Sequence, residues 1–479
     1  LILDAGYSIL DAKTSIIPHP APRTQYLTPS IQFAHNRIQE AAYSLIPDGE
    51  KAAVHFKIGK LLYEKIPQDQ QEERLFDIVN QLNLGRILIE HPAEGLQFAE
   101  LNLRAGRKAK ASTAYQPALR YFTIGIELLP KKSWENHHTL TFALYREQYE
   151  CAYLAADAER AETLFALILA HAKTRLEKTE MYNIGIVQYT VMGKSEEAIK
   201  KGLEALKLFG IELPEHDVQG AVEREFEEIP VNLRTREIAE LVHLPIMSDQ
   251  DYKESIKLLS NLLSPAHNSH PDLWRFLIGR MVNLALKYGN TPEIPIGYAA
   301  YGMILGTGLG EYQSGYEFGR LALQLSETFE SGAQKCKTLH VFANFINDWR
   351  MPVESSVPLL RQAFRYGLES GELLYAGHAL GALTQALFAK GEHLSKILEH
   401  IEKAAEFAKK IKSSPTCEGC RRWRQFILCL QGQTRRPQTF NDRNFDEVQF
   451  LEDAKDSPGI RYNFYVSKLH ACCLYEQYS

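Results

Sequence analysis

Residues 101–130 read LNLRAGRKAKASTAYQPALRYFTIGIELLP, and the spacing of their small and large apolar residues decides the fold. Leu103, Gly106 and Ala109, followed by Ala118, Phe122 and Gly125, recur every three or four residues, the period of a helix face. Small side chains at Gly106 and Ala118 let two helix backbones approach, while Phe122 fills the space beside them. Pro130 has no N–H to continue a helix, so the second helix ends before it.

These offsets are those of a tetratricopeptide-type helix pair. A second pair is read from Tyr149, Ala152, Ala161 and Phe165, and a third from Ile186, Tyr189, Gly193, Ala198, Gly202 and Ala205. The alanines at 118, 161 and 198 are 43 and 37 residues apart, longer than the regular repeat of about 34, so the array is irregular. Later openings at Gly310, Met351 and Gly391 recur at 41 and 40 residues. The predicted class is therefore all-α, a tetratricopeptide-like solenoid of helix pairs. An N-terminal helical remnant of a winged-helix or ATPase-linker module is expected at 1–66, with Ile17 to Pro29 as a loop. A first block is expected at 67–212, an irregular acidic connection at 213–245 with one helix from Val218 to Glu228, and a second block at 246–479. A polar break is expected from Gln431 to Asp446. Because the chain starts with Leu and stops within an apolar-periodic segment, it reads as a piece of a longer protein.

Composition narrows the function. The 479 residues carry 54 Lys+Arg against 59 Asp+Glu, a net charge of −5, which lacks the basic excess of a nucleic-acid-binding domain. The hydrophobic share of 45% suits a chain with a sizeable core. Seven irregularly spaced cysteines, two of them adjacent at Cys472 and Cys473, read as reduced thiols of a cytoplasmic protein. The uncharged stretches Ile294–Gly310 and Leu373–Ala389 fall short of the about 20 apolar residues of a spanning helix.

The string Phe33-Ala34-His35-Asn36-Arg37-Ile38-Gln39-Glu40-Ala41-Ala42-Tyr43-Ser44-Leu45-Ile46 resembles the segment after the AAA/STAND-type ATPase module of large multi-sensor hybrid Ser/Thr–histidine kinases. The resemblance continues through His55, Gly59, Leu61 and Leu62, then Leu101 to Lys110, Trp134, Gly210 to Pro214, Thr439-Phe440, Phe445 to Glu447 and Tyr465 to Leu469. Where that family usually has Asp after the histidine, this chain has Asn36. The resemblance implies a non-catalytic segment that couples nucleotide-binding modules to sensor and kinase modules. ATP would then belong to flanking modules, and this segment would hold no cofactor. Its partners would be proteins, either those modules or an external ligand, with no nucleic acid and no membrane span. The alternatives are a free-standing scaffold and the repeat region of an ATPase-type transcription regulator.

The chemical motifs are weak. Gly306-Thr307-Gly308-Leu309-Gly310 lacks both the preceding strand and the following Lys-Ser/Thr of a phosphate loop, and reads as a helix-to-helix turn. Cys417 and Cys420 have the spacing of half a zinc site without the other half, and read as a structural pair. No nucleophile–base set is recognisable, so no catalytic or metal-ligating residue is assigned. His35, Arg37, Gln39 and Tyr43 are the junction candidates. Arg104, Arg107, Lys108 and Lys110 form a basic run whose bland reading is a solvated helix face and whose sharper reading is an interaction face for an acidic partner.

Overall fold

Apolar residues at helical spacing close into helix after helix along the chain. The computed structural model describes residues 36–476, apart from 113, 156, 215, 268 and 456. Two compact units result, one ending at Ala172 and the other beginning at Lys173. The described residues form helices, 3₁₀ turns and no strand; a lone β-bridge joins Ile246 to Asn290.

The first unit contains α1 (Asn36–Ser44), α2 (Asp48–Lys65), α3 (Leu75–Leu84), α4 (Pro92–Ala111), α5 (Tyr115–Glu127), α6 (Ser133–Asn136), α7 (His138–Leu154) and α8 (Ala158–His171). Leu62 of α2, with Leu75, Ile78, Val79 and Leu82 of α3 and Phe98 and Leu101 of α4, forms one core. The expected linker module thus overlaps this pairing, because α2 shares a core with α3; residues 1–35 lie outside the described part. At the deciding stretch, Ala118 and Phe122 are fully buried. A Cβ on Gly106 would lie 2.7 Å from Phe122 Cδ1, so only glycine admits the ring at this crossing. Burying a ring of this size contributes roughly 1.5–3 kcal/mol. The second predicted pair is α7 and α8, where Tyr149 and Phe165 bring their rings to 5.7 Å.

The second unit begins with α9 (Arg175–Val191), α10 (Ser195–Lys207), α11 (Val218–Leu233), α12 (Gln250–Ala266), α13 (Pro271–Tyr288), α14 (Ile294–Met303) and α15 (Tyr312–Thr328). It continues with α16 (Gly332–Phe345), α17 (Ser356–Ser370), α18 (Leu373–Ala389), α19 (Leu394–Lys410), α20 (Ser414–Leu430), α21 (Glu447–Asp453) and α22 (Pro458–Leu474). Each of α14, α16 and α18 packs on its successor and on the first helix of the following pair. The starts of α16, α18 and α20, at 332, 373 and 414, are each 41 residues apart. The turns inside the pairs explain the recurring glycines: Gly193, Gly310, Gly391 and Gly432 all have φ between 70° and 80°, which other residues rarely adopt. After three of them the next N–H reaches back five residues, from Lys194 to Tyr189, Glu392 to Leu387 and Gln433 to Leu428, closing a Schellman cap.

One segment departs from the sequence reading, and two agree with it and add detail. The helix expected to stop at Glu228 runs to Leu233 as α11, because it packs along α13 instead of crossing solvent. The glycine-rich string at 306–310 is a helix end: α14 passes into a π-turn, Ile304–Gly308, before Gly310 reverses the chain. Residues 431–446 are non-helical as expected, yet Phe440 and Phe445 are buried in the last core with Phe426, Phe450 and Phe464.

Candidate interaction surfaces

The basic run lies on α4, and helix periodicity splits it between neighbours. Arg104 reaches Glu72 at 2.5 Å. Lys108 donates to the Glu72 carbonyl and lies 5.3 Å from the Phe76 ring centre. Arg107 reaches Glu147 of α7 at 2.9 Å, and Lys110 bridges Glu147 and Glu150 at 2.6 and 2.8 Å. Arg146 adds a third cation to Glu147 at 2.6 Å.

Glu147 is the centre of this clamp, with a side chain only 3% exposed. Burial by itself would raise its pKa, but the charges and hydrogen bonds of Lys110 and Arg146 outweigh burial and hold the carboxyl at about 2. All four cations of the run are therefore engaged within their own unit. The partners were not read from the sequence, although a signal existed: Arg107 and Glu147, like Lys110 and Glu150, are 40 residues apart, close to the repeat length.

The junction candidates separate. His35 lies outside the described residues, and Arg37 and Gln39 belong to α1. Tyr43 Oη lies 2.9 Å from His55 Nε2, and His55 Nδ1 lies 2.6 Å from Gln81 Oε1. A carboxamide oxygen only accepts, so Nδ1 donates to Gln81 and Nε2 is left facing the Tyr43 hydroxyl. This relay ties α1, α2 and α3 together, a structural role for a residue singled out by sequence.

Cys417 and Cys420 occupy one face of α20 as free thiols, and burial pushes Cys420 up to about 12. No group of three or more His, Cys, Asp or Glu able to hold a metal occurs among the described residues. No helix among them is long and apolar enough to cross a membrane.

A cavity of about 690 Å³ opens where α11 and α13 end, lined by Asn232, Arg234, Arg236, Lys287, Tyr288 and Gly289 among others. Two of its cations, Arg236 and Lys287, answer local charges. Arg236 donates to the carbonyls of Asn232, Leu233 and Leu286, at the negative ends of both helices, and Lys287 pairs with Glu228 at 2.7 Å.

No family model matches the chain. It is similar to hybrid signal transduction histidine kinase G of Dictyostelium discoideum, at 24% identity over 391 residues. The match covers 72% of this chain and 11% of that relative, so the chain corresponds to about a tenth of its length. Among solved structures it resembles a STAND protein with a tetratricopeptide repeat sensor from Pyrococcus horikoshii, at 14% identity, covering 93% of this chain and 67% of that one. The TM-score is 0.31, so the fold assignment rests on the helix pairing itself.

Proposed function

We propose that this chain is a protein-interaction segment of a multidomain signalling protein, one that couples a nucleotide-binding module to sensor and kinase modules. The observation that carries the reading is the distant similarity, across 72% of the chain, to one stretch of a much longer hybrid histidine kinase. The architecture supports it. Stacked helix pairs present extended surfaces suited to protein partners, and repeat packing transmits a change in one pair to its neighbours.

The segment works without chemistry of its own. Docking that favours one packing of the pairs would shift the population of that packing, by as much as the partner's affinity for the two packings differs. The test is made in the parent reading frame. Residues 36–476 are replaced by a flexible linker of similar span, and autophosphorylation is measured with and without the stimulus. Retained basal phosphorylation with a lost response supports coupling. An unchanged response, or a reading frame with no kinase or nucleotide-binding module, overturns it.

A further inference from the structure

The cavity where α11 and α13 end is lined by three cations, Arg234, Arg236 and Lys287, and by no carboxylate. Two of the three are engaged locally. Arg236 meets carbonyls at the two helix ends through Nε and Nη2, and Lys287 meets Glu228. Arg234 differs: it is exposed, and its side chain makes no hydrogen bond or ion pair among the described residues. The carboxylates that follow it in sequence are turned elsewhere, since Glu237 and Glu240 cap the 3₁₀ turn Ile238–His243 reciprocally.

The backbone holds Arg234 at this spot under strain. It follows α11 at φ 56° and ψ −127°, a conformation that residues other than glycine rarely adopt and that persists only where the surroundings enforce it. Its N–H closes on the Pro230 carbonyl at 3.0 Å, and the next two residues, Thr235 and Arg236, line the same cavity.

A second part of the lining is fixed by close backbone contact. A Cβ on Gly289, whose φ is 107°, would lie 2.1 Å from the Pro245 carbonyl oxygen, so only glycine lets the end of α13 meet this segment. The Asn290 N–H donates to that carbonyl at 2.8 Å, and the Met247 N–H donates to the Asn290 carbonyl at 2.9 Å. Leu244, Pro245 and Leu286 add apolar surface to the lining. Tyr288 adds a ring that is 42% exposed and stacks on Tyr252 with centres 4.0 Å apart.

The volume of about 690 Å³ lies within the range of small-molecule sites, about 300–1,000 Å³. Donors outnumber acceptors among the side chains available to a ligand. All the N–H groups of the Arg234 guanidinium, the Nη1 group of Arg236 and the Thr235 hydroxyl lack partners among the described residues. A phosphate monoester brings three acceptor oxygens and up to two negative charges, where a carboxylate brings two oxygens and one charge.

We propose that this cavity binds an organic phosphate, whose phosphate oxygens accept from Arg234, with Thr235 and Arg236 beside it, and whose small apolar body lies against Leu244, Pro245 and Tyr288. The strained turn thereby sets an arginine without a partner of its own beside a backbone already closed. The site lies wholly within the second unit and does not depend on the coupling role.

Calorimetric titration of the whole chain with phenyl phosphate tests the site, with inorganic phosphate, benzoate and phenol as comparison ligands. Phenyl phosphate should bind saturably at one site, and each comparison ligand should bind about tenfold more weakly or less. Arg234→Gly removes the guanidinium and accepts the positive φ, so it should weaken phenyl phosphate about tenfold without unfolding earlier than the parent. Should it unfold earlier, Arg234→Gln is measured in its place, with the same loss expected. Arg320→Ala, which removes an exposed cation elsewhere in the second unit, should bind as the parent does. The proposal is overturned by a parent chain that shows no saturable binding at millimolar phenyl phosphate, by benzoate that binds as tightly, or by Arg234 variants that bind like the parent. Equal weakening by Arg320→Ala would also overturn it, as attraction to surface charge in general.

Discussion

The two units stack helices by the same rules and differ in one buried polar centre that each contains. In the first, Glu147 is buried with its charge intact because Lys110, Arg107 and Arg146 surround it. In the second, the rings of His340 and His378 lie 5.7 Å apart, and burial lowers the pKa of both. A buried carboxylate among cations keeps its charge until pH falls to its own lowered pKa, whereas a buried imidazole with a lowered pKa favours its neutral form and loses stability as pH falls below the free value of about 6.5. The first unit should therefore ignore pH in the range where the second responds.

The largest expected effect tests the charged side of this contrast. Glu147→Ala leaves three cations facing each other and should cost the first unit about 3 kcal/mol, read as a lower urea midpoint through Trp134, the one tryptophan before residue 173. The same site sets an acid limit. Its carboxyl sits at about 2 when folded and near 4.5 when free, so its contribution is present above pH 4.5 and lost as pH falls towards 2. That loss is on the order of 3 kcal/mol in the parent and absent in Glu147→Gln, which a urea series from pH 5 to 2.5 would show. Gly106→Ala forces the new methyl group against Phe122 and should cost about 2 kcal/mol at any pH, separating packing from charge. Asp249 Oδ1 caps α12 by accepting from the N–H groups of Asp251 and Tyr252 at 2.9 and 3.1 Å. Asp249→Ala should cost the second unit about 1 kcal/mol by calorimetry. The smallest effect belongs to Arg104→Ala, whose half-exposed pair with Glu72 is worth under about 1 kcal/mol and should fade with added salt.

Much of the fold was legible because it is local. Gly106, Ala118 and Phe122 announce one crossing within seventeen residues, and Gly310 and Gly391 mark turns that only a positive φ allows. What stayed hidden depends on which repeats touch. Glu147 looks like an ordinary surface acid until α7 is laid beside α4. Phe440 and Phe445 sit among Asn, Asp and Arg, and only the last core shows them buried. His340 and His378 are 38 residues apart, close to the repeat length, whereas Ser264 and His378 meet across 114 residues, between pairs that are not neighbours in sequence. The basic run reads in sequence as a solvated helix face or, more sharply, as an interaction face for an acidic partner; in the structure its charges meet Glu72, Glu147 and Glu150 of the same unit.

The most direct test follows both units in one sample. Pulse hydrogen–deuterium labelling through a urea titration gives each unit its own midpoint, and the titration is run at pH 7.5 and at pH 5.5. The second unit's midpoint should fall at the lower pH while the first unit's stays in place. Midpoints that move together, or a first unit that weakens before the second, would contradict the contrast between the buried carboxylate of the first unit and the buried imidazoles of the second.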